Sequence, residues 1–326
     1  MKISARRIPR IPLIAFAALL ALAGNASHAE IASTSVTLYG FIDSSVRYQQ
    51  TRAGNTLSVV DGAELGWAGS RWGLIGSEDL GGGLKAIFNL ENGFSLDTGK
   101  LNQGGRLFGR TAYVGLSGSY GELTLGRQYN ALYYAGSWLS DPTYVSSWSP
   151  AVNHQLNYAW DNAIVYTGRF SDFIGRLSYA AGGQAGTQNG SMQAASLMYN
   201  GHPFGAAIAY GGINGSGQTT FTAGGYCEIG PVTLQLVHYH TKNEPYTATR
   251  SLVTNGIGAI YVPAPAWELT TAYWRSTADG AVDNKFLAVA RYSLSKRTKL
   301  YVEADTDRNP QSGRLSGGQA GMQYSF

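Results

Sequence analysis

A single cysteine, Cys227, in a chain of 326 residues rules out an internal disulfide framework. Charged residues are scarce as well, at 13%, too few for the surface of an ordinary soluble protein of this size. No apolar run beyond residue 29 approaches the roughly 20 residues that a membrane helix needs, which excludes helical spanning there. No linker or shift in composition divides the chain, so one domain is expected. Catalytic groupings are equally thin. No nucleophile, base and orienting group stand together, and Gly81-Gly82-Gly83 lacks the following Lys-Ser/Thr of a phosphate cradle, so it reads as a turn.

What is present begins with an export signal. Lys2, Arg6, Arg7 and Arg10 precede an apolar run over 13–23, too short to cross a bilayer, and cleavage is expected after Ala29 with small Ser27 ahead of it. Residues 1–29 are therefore read as signal and 30–326 as the mature domain. Losing the signal removes four basic residues and no acid, leaving 20 Lys and Arg against 20 Asp and Glu. The net charge of +4 thus belongs to the signal and gives no argument for a nucleic-acid partner.

The chain is rich in Gly (43) and Tyr (21), and its mature part alternates. Over 36–48, Leu38, Gly40, Ile42, Val46 and Tyr48 fall on one face, and Thr37, Tyr39, Asp43, Ser45 and Arg47 on the other. Over 84–94, Leu84, Ala86, Phe88 and Leu90 alternate with Lys85, Ile87, Asn89 and Glu91. Near the end, Leu300, Val302 and Ala304 oppose Lys299, Tyr301, Glu303 and Asp305, and Gly318, Ala320, Met322, Tyr324 and Phe326 oppose Gly317, Gln319, Gly321, Gln323 and Ser325. Sixteen such strands are counted between residues 36 and 326. Short turns and longer loops alternate between them, so an even-numbered, all-β, antiparallel transmembrane barrel is expected, closed so that lipid meets no free sheet edge. Sixteen strands would enclose an aqueous lumen rather than a packed core.

One stretch breaks the rhythm. Residues 131–161 form the third long connection and carry Tyr133, Tyr134, Trp138, Tyr144, Trp148, Tyr158 and Trp160, with Asp141 as their one acid before Asp161.

Several stretches together resemble the Gram-negative trimeric general porins, in particular those of β-proteobacteria. They are Val36-Thr37-Leu38-Tyr39-Gly40 with Asp43, the run from Ser70-Arg71-Trp72-Gly73 through Glu78-Asp79-Leu80-Gly81-Gly82-Gly83, then Tyr113-Val114-Gly115-Leu116-Ser117 and Leu125-Gly126-Arg127-Gln128-Tyr129. The resemblance implies a homotrimer of 16-stranded barrels in outer-membrane lipid and lipopolysaccharide, passing ions and small hydrophilic solutes without a cofactor. It also implies that the third loop folds into the lumen, where its acids face basic wall residues across the narrowest point. On that pattern Arg71 and Arg110 are wall arginines, with Asp43, Arg47, Lys85 and Glu91 as further inward charges, and Asp141, Tyr133, Tyr134 and Trp138 on the loop. Trp72 and Leu74 take the opposite face from Arg71, whereas Arg110 shares its face with Ala112, Val114 and Leu116. Arg127 shares parity with Leu123 and Leu125 and is assigned to the subunit interface. Tyr324 and Phe326 match the terminal aromatic signal read by the outer-membrane assembly machinery. One departure is that Ala159-Trp160, not a basic residue, precedes Asp161-Asn162, so a weaker transverse field is expected.

The loop aromatics have two readings, packing of the loop on the wall or a track selecting a sugar or an aromatic acid. His238 and His240 share a face but lack a third metal ligand. Asp305-Thr306-Asp307-Arg308-Asn309 resembles part of a calcium loop without its bidentate Glu. A barrel lipase and a non-conducting structural barrel are the alternatives from other classes.

Overall fold

The computed structural model describes residues 34–62, 68–143, 148–183, 187–244, 248–309 and 313–326. The expected signal, 1–29, lies outside these residues, as does Tyr144.

Strand β1 (Thr34–Thr51) organises the closure. Its first half pairs with β3 (Arg71–Gly81), from Thr34 opposite Glu78 to Phe41 opposite Arg71, and its second half with β2 (Gly54–Asp61), from Ser44 opposite Asp61 to Thr51 opposite Gly54. Thus β2 and β3 share one wall position. On its other side β1 meets β17 (Gly313–Ser325), with Phe41 opposite Ser325 and Gln50 opposite Ser316. Antiparallel neighbours run round the remaining wall. They are β4 (Leu84–Gly93), β5 (Thr111–Gly118), β6 (Gly121–Tyr129), β7 (Ala159–Phe170) and β8 (Phe173–Ala180), followed by β9 (Met192–Asn200), β10 (Phe204–Ile213), β11 (Thr219–Ile229) and β12 (Val232–Glu244). The circuit ends with β13 (Thr249–Ala264), β14 (Trp267–Ala278), β15 (Ala281–Ser293) and β16 (Thr298–Asn309), which pairs with β17. Seventeen strands occupy sixteen positions in a closed barrel. Closure joins every edge, which a membrane-spanning sheet requires.

The alternation read from sequence sets the two faces. Leu38, Val46, Val302 and Met322 are exposed on the outside, while Asp43, Arg47, Glu303, Asp305, Gln319 and Gln323 are buried inside. At the seam Phe326 exchanges backbone hydrogen bonds with Gly40, 3.0 Å each way, and its ring occupies the space that a side chain at position 40 would need. Residues Gly81, Gly82 and Gly83 all have positive φ, as the expected tight turn demands. Two details differ from the sequence expectation. The short strand β2 was not expected. The strand expected over 107–116 begins only at Thr111, because the preceding residues fold back beside the Phe94–Leu101 bridge.

Candidate functional site

The described parts of the irregular stretch, 131–143 and 148–158, pack against the buried face of the wall. Asn130 starts it: its Oδ1 accepts from the Tyr133 amide at 3.1 Å, and its Nδ2 donates to the carbonyls of Gln155 (2.8 Å) and Asn157 (3.1 Å). The helical turns Ala131–Tyr133 and Tyr134–Ser140 then bury Ala131, Leu132, Ala135 and Leu139. Their partners are Ala163, Ala180, Ala194, Met198, Ala207 and Ala209, which belong to β7–β10. In these strands the large apolar side chains Leu177, Leu197, Ile208 and Tyr210 point out, and small residues inward make room for a helix. A Cβ on Gly136 would come within 2.7 Å of Tyr239, so this approach needs glycine.

Asp141 sits at the base of that seat. It is 0% exposed and accepts four hydrogen bonds: from the Thr143 amide (2.9 Å) and hydroxyl (2.7 Å), the Ser149 hydroxyl (2.6 Å) and the Trp274 indole (3.2 Å). Burial raises its carboxyl above the ordinary value, against the lowering effect of the Ser149 and Thr143 bonds. Where a channel-facing acid was expected, Asp141 is enclosed and ties the segment to β14 through Trp274.

His154 is a second anchor. It lies in the turn Pro150–His154, with Nδ1 2.8 Å from Thr241 Oγ1, Nε2 2.8 Å from Thr254 Oγ1 and its ring stacked on Tyr239 at 4.8 Å. Burial first, then His238 and His240, push its pKa down to about 3. The sign follows. Above pH of about 6.5 the ring is neutral whether seated or released, so nothing is lost. As pH falls below that value, only the released ring takes up the proton, and the seat weakens by as much as roughly 1.4 kcal/mol per pH unit. Hydrogen-exchange protection factors over 148–158, corrected for the intrinsic pH dependence of exchange, should therefore fall between pH 7 and 5 in the native protein. His154→Gln should be looser at pH 7 but flatter with pH, and equal slopes would disprove the assignment.

Facing the segment is a charged cluster on β1, β3, β4 and β6 and the residue just before β5. Glu91 accepts from Arg110 Nε (2.6 Å), Tyr39 (3.0 Å) and Tyr129 (3.5 Å), and Arg71 Nε lies 3.7 Å away. The Arg71 guanidinium sits 4.9 Å from the Phe41 ring and that of Arg110 5.9 Å from Tyr129. Tyr133 stacks on Tyr129 at 4.3 Å, and Tyr134 meets Tyr133 edge-on at 5.4 Å. Burial raises both loop phenols above their ordinary value, so they add aromatic surface and no charge. Trp138 leaves its ring 44% exposed.

Other expected residues lie apart from this cluster. Asp43 is 0% exposed and holds the seam, accepting from Tyr301 (2.8 Å), Gln323 (3.1 Å) and the Ala68 amide (3.1 Å). Arg47, 1% exposed, makes two bonds to Asp305 (2.7 and 2.9 Å) under the Trp148 ring at 5.1 Å. Both are buried links across β1, β16 and β17, where channel-facing charges were expected, and the Trp148 ring of the inserted segment packs over Arg47. Lys85 is exposed beside the Gly81–Gly83 turn, six residues along β4 from Glu91, a rise of about 20 Å. Arg127 sits at a register shift between β6 and β7 and donates to Gly109 O (2.6 Å) and Asp161 (2.8 Å), which Arg106 also holds. Tyr324 and Phe326 stack with centroids 6.2 Å apart. His238 and His240 pair with Asn255 and Ser251, and among the described residues no group of three potential metal ligands forms. Arg169, Arg176 and Glu122, which sequence reading passed over, line an inward cavity with Tyr134. Strand parity was their signal, but single charges in short strands do not stand out.

Comparisons with known proteins agree with the barrel fold. The family model described as Gram-negative porin matches residues 15–312. An outer membrane porin protein of Bordetella pertussis is 35% identical over 234 residues, 61% of this chain and 59% of that protein. Outer membrane porin protein 32 of Delftia acidovorans is 45% identical over 115 residues, 35% of this chain and 30% of that protein. The aligned stretches thus span less than two thirds of either relative. Among solved structures, the anion-selective porin from Comamonas acidovorans superposes with a TM-score of 0.76 at 25% identity, over 90% of this chain and 100% of that one.

Proposed function

The chain belongs to the Gram-negative porin family, and from that premise we propose that it is a passive diffusion channel of the outer membrane for ions and small hydrophilic solutes, with a preference for anions. Family and fold point to a channel rather than an enzyme. The proposed constriction lies between the segment 131–161 and the wall residues Arg71, Glu91 and Arg110, in a homotrimer.

The observation that carries the sign of selectivity is the enclosure of Asp141. With Asp141 withdrawn, Arg71, Arg110, Arg169 and Arg176 stand with Glu91 and Glu122 around the seat, an excess of positive charge among the described residues there. The Comamonas relative is described as anion-selective, which agrees in sign.

The test is the purified protein in a planar bilayer under a KCl gradient. Conductance in steps of three, with a reversal potential on the chloride side, is expected. Arg71→Gln together with Arg110→Gln should reduce anion over cation permeability by roughly fivefold per charge, the factor that about 1 kcal/mol in a wet pore implies. A silent bilayer would reject the channel, and a cation-side reversal potential would reject the sign.

A further inference from the structure

The cavity beside Tyr134 contains a buried donor that has no hydrogen-bond acceptor among the described residues. Arg176 stands on the inward face of β8, 8% exposed, with its guanidinium carbon 3.7 Å from the Tyr134 ring centroid and its Nη1 without an acceptor. Its cross-strand neighbour Ser196 on β9, also 8% exposed, has a hydroxyl without a partner. On β7, Thr167 lies opposite Arg176, and Arg169 two residues further on faces the same cavity, so two guanidinium groups converge there. The space is about 130 Å3, roughly ten times what a single water needs.

A buried cationic donor without an acceptor is costly, and two cations side by side repel, so the arrangement favours a bound anion. A guanidinium matches the two oxygens of a carboxylate. Tyr113, Tyr129 and Tyr134 supply flat apolar wall next to it. Glu122 and Glu91 line the same cavity and offset part of the positive charge, so a multiply charged anion is disfavoured relative to a singly charged one. We infer that Arg176, assisted by Arg169, forms a subsite for a small aromatic monocarboxylate just beside the seated segment. The subsite selects among the anions that the constriction admits, so the inference rests on the channel reading for its route of access. This is also how the loop tyrosines would become specificity determinants as well as packing.

The probes are benzoate, neutral benzamide and ringless acetate, added to a chloride-conducting channel. Benzoate should reduce the current saturably, acetate more weakly and benzamide not at all. Arg176→Gln should raise the half-blocking benzoate concentration by roughly tenfold, the loss of one charge-assisted pair. Arg169→Gln should raise it less, and Arg176→Lys should retain part of the block. Equal block by benzoate and benzamide, or an unchanged half-blocking concentration in Arg176→Gln, would overturn the subsite. If Arg176→Gln does not fold, Arg169→Gln and Arg176→Lys decide the matter by the same readout. If no chloride current flows, the channel reading fails by itself, and calorimetric titration of the detergent-solubilised protein still decides the subsite. Benzoate binding weakened in Arg169→Gln and weakened more in Arg176→Gln supports it, and no benzoate heat in the native protein, or unchanged affinity in both variants, overturns it.

Discussion

Asp141→Ala should enlarge the channel. The replacement leaves the buried Trp274 indole, the Ser149 hydroxyl and two donors of Thr143 without their shared acceptor. An unsatisfied buried donor costs roughly 1–3 kcal/mol, and lumen water reaching a loosened seat recovers part of that, so a net loss of about 3 kcal/mol is expected. This shifts the balance between seated and released segment about a hundredfold. Single-channel conductance should rise and become noisier, and protease should cut within 131–156. Ion preference should move less than it does in the Arg71 and Arg110 variants, because an enclosed carboxylate contributes little field to the channel. Trp274→Phe removes only one of the four donors and should cost about 1 kcal/mol, giving a graded control. Asp141→Ala with native conductance and native protease resistance would end the anchor assignment.

Arg47→Ala should be the most destabilising single change proposed. Arg47 pairs with Asp305 through two hydrogen bonds and lies 4.0 Å from Glu303, and all three side chains are almost fully buried. Removing the cation leaves two neighbouring carboxylates without their compensating charge, a loss of roughly 3–5 kcal/mol. The packing of Trp148 over the guanidinium is lost as well. The site lies where the first and last strands join, so the damage falls on closure of the barrel. The folded, heat-modifiable form in SDS should convert at a temperature lower by roughly 5 °C or more. Arg47→Lys keeps the charge without the two-pronged geometry and should fall between. Combining Arg47→Ala with Asp305→Ala should restore part of the loss, since fewer unpaired acids then stay buried. A melting temperature within about 1 °C of native in Arg47→Ala would show that the seam does not depend on this pair.

The wall was legible from residue order because alternation is local. The period-2 pattern of Leu38, Ile42 and Val46 against Asp43, Ser45 and Arg47 needs only neighbouring residues, and it returned the faces found in β1, β16 and β17. Failure of that same pattern over 131–161 located the inserted segment. The motif around Arg71 and the position of Arg110 led to two members of the Glu91 cluster, although the Arg110 face looked apolar.

Which inward charges meet solvent was not legible. Asp141 meets Trp274 across 133 residues of sequence, and Arg47 meets Asp305 across 258. Nothing in the local pattern of either partner announces the other. Small inward residues such as Ala163, Ala194 and Ala207 likewise read as ordinary apolar strand, and only the seated helix shows why they are small.

The amino-acid order alone thus determined a sixteen-position wall, its inner and outer faces and the place of its one long irregular insertion, because each of these follows from side chains a few residues apart. Only the tertiary structure decided that Asp43, Arg47 and Asp141 are structural links while Arg71, Arg110 and Arg176 surround the seated segment. Closing a barrel and folding a segment against its inner face bring distant residues together, and it is the resulting burial that separates the enclosed anchors from the charges proposed to face the channel.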